Sequence, residues 1–170
     1  MTPELFLTSV LVPSLTWLSS VVGPIPPNSR EARLMLLAIP GVESDYENVA
    51  QEGGGPGRGF YQDEPETCGE VLNNPASTTM MHKVCAVLDI PATEAAIYGA
   101  LLGSPRLQVA LSRLDLFCDP SPLPAYGDEM GGWSTYLRVW RPGKPSLQRW
   151  SSVYLAALAA DQAWEKAQGV

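Results

Sequence analysis

From Ala32 to Ile39 the chain reads Ala-Arg-Leu-Met-Leu-Leu-Ala-Ile, apolar on nearly every side of a helix. A helix of that kind has no face to offer water, so the rest of the chain must fold around it. Its start is marked by Asn28 and, three residues on, Glu31, the spacing of a capping box, which predicts a helix from Ser29. Pro40-Gly41 predicts an abrupt end, after which Val42-Glu43-Ser44 places a carboxylate at the exit of the most buried helix.

Helix signals recur in the second half. Pro75-Ala76-Ser77 opens a segment through Leu88, Pro91-Ala92-Thr93-Glu94 one through Leu102, and Ser104-Pro105 one ending near Phe117. Asp128 precedes a helix carrying Met130, Trp133, Leu137 and Trp140, and a last helix is expected from about Ser146 to Trp164. Trp133, Trp140 and Trp150 fall on helical stripes and read as core. The segment from Glu43 to Glu70 differs: eight carboxylates, one Arg (Arg58) and the glycine cluster Gly53 to Gly59 predict a non-helical excursion of tight turns or a small β-hairpin. Gly59-Phe60-Tyr61 lacks the Lys that a phosphate-binding loop requires.

The first 27 residues read as a unit of their own: an apolar helix suited to docking, then the linker Gly23-Pro24-Ile25-Pro26-Pro27, with the main domain over 28–170. A membrane span is disfavoured by Pro13 among several Ser and Thr residues, and a signal peptide by the lack of a basic n-region, Glu4 being the one charge before Arg30. Eighteen acidic against eleven basic residues, a net charge of -7, exclude a phosphate backbone as the natural partner. Cys68, Cys85 and Cys118 match neither a disulfide framework nor a zinc site, and the acidic loop lacks a calcium-loop order, so no metal or cofactor is expected. His82 has no nucleophile or acid at a recognisable spacing.

A mainly α chain with one Gly-rich excursion and a lone Glu after its central helix has the layout of a lysozyme-like glycosidase. Ala38-Ile39-Pro40-Gly41-Val42-Glu43-Ser44, followed by Gly57-Arg58-Gly59-Phe60-Tyr61-Gln62, resembles the Glu-Ser and Gly-Leu-Met-Gln signatures of lytic transglycosylases and goose-type lysozymes. With Tyr136 to Pro145, Tyr-Leu-Arg-Val-Trp-Arg-Pro-Gly-Lys-Pro, it is similar to small phage-encoded lysozyme-like proteins, over about Ser29 to Tyr154. The resemblance implies cleavage of the MurNAc–GlcNAc bond of peptidoglycan, with Glu43 as general acid/base, Ser44 supporting it, and Tyr61 and Gln62 contacting the glycan. It implies a virion-associated protein, made in the host cytoplasm, that opens the wall during genome entry and is held to tail or capsid proteins by the N-terminal segment. Asp119 is a weaker candidate for a further polar group. Pro40-Gly41 departs from the family's unbroken helix, and Asp63 stands where the phage proteins commonly carry an aromatic residue. These departures motivate an alternative: a catalytically inactive structural component of the tail or capsid.

Overall fold

The computed structural model describes residues 1–169. It is mainly helical, as the sequence requires. Helix α1 spans Pro3–Val22. Pro13 has no N–H for the carbonyl four residues back, and the turn ahead of it widens into a π-helical stretch over Leu7–Leu11. Helix α1 is long and apolar enough to cross a bilayer by length and composition, with mean hydropathy 1.8. Its inward face nevertheless lies within this fold: Phe6, Leu7, Leu11 and Leu15 join one core cluster and Leu18 a second.

Helix α2 is Arg30–Glu43. Ser29, not Asn28, is its cap, accepting from the Ala32 N–H, while Asn28 turns back and donates to the Leu15 carbonyl and Ser19 hydroxyl of α1. Tertiary partners drew Asn28 away and moved the start by one residue. Further contacts tie the linker down, since Arg113 donates to the Pro27 carbonyl at 2.8 Å.

The excursion forms isolated antiparallel bridges, Ala50 with Arg58 and Arg58 with Asp63, and no β-strand among the described residues. Side chains hold it instead. Buried Gln108 accepts from the Phe60 N–H and donates to Asn48 and the Leu101 carbonyl, and Arg58 lies over the Tyr98 ring at 3.8 Å. The expectation that nothing helical lies between Glu43 and Glu70 is corrected: α3, Pro65–Asn73, begins inside it. Pro65 stands at its first turn, where a missing N–H is harmless, and the helix buries Cys68, Val71 and Leu72.

Helices α4 (Thr78–Val87), α5 (Glu94–Ala100), α6 (Pro105–Cys118), α7 (Glu129–Val139) and α8 (Leu147–Gln168) follow. Four of them start on side-chain caps at the expected residues Thr93, Ser104, Asp128 and Ser146. Helix α2 runs against α8 through the first core. The second core lies between α3, α4, α5 and α6, and α1 and α6 contribute to both. Trp150 is fully buried, while Trp133 and Trp140 pack at the edge of the first core. His82 is exposed; Cys68 and Cys85 are buried and Cys118 partly so, all three as free thiols.

Candidate active site

Helix α2 does not stop at Pro40; it continues through it to Glu43. An interior proline leaves the carbonyl four residues back, here Leu36, without its helical donor. The Tyr61 hydroxyl supplies one, donating to the Leu36 oxygen at 2.9 Å. Beyond Pro40 the end of the helix is gathered by other groups. Its carbonyl accepts from the Ser44 and Tyr46 N–H groups, and Arg149 of α8 donates to the Gly41 and Val42 carbonyls at 3.1 Å. A cation at a helix C-terminus is favourable in itself. Gly41 is required by close approach, because a Cβ there would stand 2.6 Å from Val153 and 2.7 Å from the Tyr46 hydroxyl.

This puts Glu43 in the last turn of the central helix, half-buried, at the wall of a cleft of about 940 Å³. Tyr136 donates to its Oε1 at 2.6 Å and is itself fixed by stacking on Trp150, ring centroids 5.0 Å apart. Burial pushes the Glu43 carboxyl above the usual range, and the Glu64 charge adds to this. The Tyr136 hydrogen bond and Arg149 oppose the shift without cancelling it.

Ser44 and Gln62 also line the cleft. The Ser44 hydroxyl contacts the Phe60 carbonyl at 2.7 Å and the Pro40 carbonyl at 3.1 Å, so it ties the excursion to the end of α2. Gln62, at φ 53, donates its amide N–H groups to the Val49 and Gly59 carbonyls. Tyr61, expected to touch the glycan, is fully buried and does not line the cleft, because its hydroxyl is needed at Leu36. Asp119 is paired with Arg138 at 2.6 Å and lies in a separate hollow.

Sequence reasoning missed other groups in the cleft. Asp63 is buried, and its carboxyl has a single hydrogen-bond partner, the Ser112 hydroxyl at 3.4 Å. Its carboxyl is pushed well above the usual range by burial and by Asp115. Asp115 is itself pushed up to about 7, chiefly by burial. Asp63 was visible in the sequence only as a departure, and Asp115 gave no signal because nothing near it in sequence foretells its surroundings. Tyr136, Trp140 and Arg149 fall in or just after the closing motif, though their roles arise from contacts made far along the chain. Among the described residues no group of three or more His, Cys, Asp or Glu side chains could hold a metal ion.

Chemically, the arrangement offers a carboxyl held toward its protonated form, oriented by a phenol, in a polar cleft. Comparison with family models, curated proteins and solved structures returned no match. Fold and site together define a class only: a mainly helical protein with an acid-bearing cleft at the end of its central helix.

Proposed function

We propose that this is a phage virion-associated, lysozyme-like glycosidase that cleaves the MurNAc–GlcNAc bond of peptidoglycan during genome entry, as a lytic transglycosylase or a lysozyme. The observation that carries the reading is Glu43 itself: partly desolvated, held by Tyr136 at 2.6 Å, and facing the large cleft. A general acid for this bond must keep its proton near neutrality, which burial promotes. Glu43 donates that proton to the glycosidic oxygen as the C1–O bond breaks. The resulting carboxylate then takes the proton from the attacking hydroxyl, the sugar's own in a transglycosylase or water in a lysozyme. The carboxylates around the cleft favour the positive charge that develops at the anomeric carbon.

Partners are then the glycan strand and other virion proteins. The outer row of α1, where Leu5 is 54% exposed, is the segment proposed to dock onto tail or capsid. The particle is the proposed location, after synthesis in the host cytoplasm. The alternative, an inactive lysozyme-like building block, draws support from Tyr61 and Gln62, whose polar groups serve the fold.

Purified peptidoglycan incubated with wild type and with Glu43→Gln separates the two. The glutamine still accepts from Tyr136 but has no proton to give. Release of muropeptides by wild type alone supports the enzyme, with anhydro ends in the mass spectrum marking a transglycosylase. Absence of cleavage by wild type supports the building block.

A further inference from the structure

The wall of the cleft is unequally charged: eight carboxyl groups line it against three cations. Arg141 is committed to Glu70 at 2.6 Å, Arg149 to the end of α2 and to Asp45 at 3.1 Å, and Lys144 is exposed on the loop after α7. An acidic lining alone selects nothing, but two of its members are set apart by their lack of donors. Asp63 is 3% exposed, and its backbone is fixed by exchanging hydrogen bonds with Arg58 in both directions, at 3.0 and 3.1 Å. Its Oδ2 meets the Ser112 hydroxyl at 3.4 Å, while Oδ1 has no partner among the described residues. Asp115 stands one turn after Ser112 on α6, on the face against which Asp63 lies, and neither of its oxygens accepts a hydrogen bond from the described residues. Both carboxyls line the cleft. Buried acceptors left without donors are costly, so this pair calls for a donor from outside the fold. Burial holds both back from ionising; Asp115 and Glu43 add to this at Asp63, and Glu70 and Asp119 at Asp115, where Arg141 opposes. An entering cation would reverse the balance. Three oxygens without a donor match a primary ammonium, which offers three N–H groups and no acceptor. A metal ion matches less well, since among the described residues no third His, Cys, Asp or Glu completes a ligand set.

Resting on the glycosidase reading for the polymer that carries it, we propose that Asp63 and Asp115 form a pocket for a primary ammonium group of the cell wall, so that the protein prefers wall material bearing free amines. Peptidoglycan chemistry supplies such a group in two ways: a glucosamine without its acetyl group, or the side-chain amine of a stem-peptide diamino acid. The Glu43 charge reaches Asp63, so the amine binds beside the acid that acts on the glycosidic bond. Its positive charge takes the place of the proton that the two carboxyls otherwise retain, and its N–H groups make charge-assisted hydrogen bonds to both.

Two matched pairs of probes are titrated into the full Glu43→Gln chain in mildly acidic buffer, where the amines are protonated. One pair is a glucosamine hexamer and its fully N-acetylated counterpart; the other is a free stem peptide with a diamino acid and the same peptide with its side-chain amine acetylated. The free amine is expected to bind on the order of tenfold more tightly than its acetylated partner in at least one pair, and which pair shows it identifies the source. Adding Asp63→Asn and Asp115→Asn, which keep shape and remove charge, should abolish that preference. Adding Asp89→Asn, an exposed acid outside the cleft, should leave it intact. Equal binding within both pairs overturns the pocket, as does a preference that survives the two asparagines, since it would then come from the acidic surface at large. The wild-type cleavage assay keeps the two readings apart. If wild type releases muropeptides while free amines gain nothing, only the pocket is lost; if no probe binds and wild type cuts nothing, the glycosidase reading falls with it.

Discussion

The Tyr136 hydroxyl donates to Glu43, and a donor of that kind stabilises the carboxylate over the carboxylic acid. Burial acts in the opposite direction and prevails, so the Glu43 carboxyl sits above its ordinary range. Replacing Tyr136 by Phe keeps the ring on Trp150 and removes only the donor. The Glu43 carboxyl should then move further up, and the alkaline limb of the pH–activity profile, where a general acid loses its proton, should shift to higher pH. A limb that stays in place or moves down would show that Tyr136 does not act on the ionisation of Glu43. Glu43 was legible in the sequence because an apolar run ends beside it, a strictly local pattern. Tyr136 as its partner was not, since the bond joins residues 93 positions apart.

At the level of elements, the starts of the later helices were legible for the same reason: Thr93, Ser104, Asp128 and Ser146 cap groups three residues away, and their chemistry needs no tertiary information. Helix α3 was hidden by carboxylates, because what makes it a helix is the burial of Cys68, Val71 and Leu72 on one side. The passage of α2 through Pro40 was hidden by Tyr61, a donor from beyond the helix. Those two residues should therefore be coupled. Tyr61→Phe leaves the Leu36 carbonyl buried without a donor, at a cost of about 1–3 kcal/mol. In a Pro40→Ala background the restored N–H of residue 40 can serve that carbonyl, and the same change should cost about 1 kcal/mol less or better. A double-mutant cycle by urea unfolding measures the difference; equal costs in both backgrounds would mean the tyrosine does not rescue the proline-broken turn.

Over the whole molecule, acids are buried on one side of the fold while the net charge is already -7. Glu43, Asp63 and Asp115 all have carboxyls pushed up, and Asp115 stands close enough to Asp63 to raise it. A carboxyl raised in the folded state holds its proton where the unfolded chain has lost it. Stability therefore falls as pH climbs from the unfolded value toward the folded one, and levels off above it. For Asp115 that window runs from 3.8 to about 7. Glu31 and Asp119 are shifted down, by capping hydrogen bonds and by Arg138 respectively, so their contributions are present above the ordinary carboxylate range and are lost only in stronger acid. The two sets together place maximum stability in mildly acidic solution, around pH 4 to 5, with a decline toward neutrality. Asp115→Asn removes one of the declining contributions. Urea midpoints at pH 4, 6 and 8 should show the variant gaining on wild type as pH rises, by roughly 2–4 kcal/mol at pH 8. A constant gap between the two across that range would mean Asp115 ionises in the folded protein as freely as in the unfolded chain, and the acid-stabilised cleft would have to rest on Glu43 and Asp63 alone.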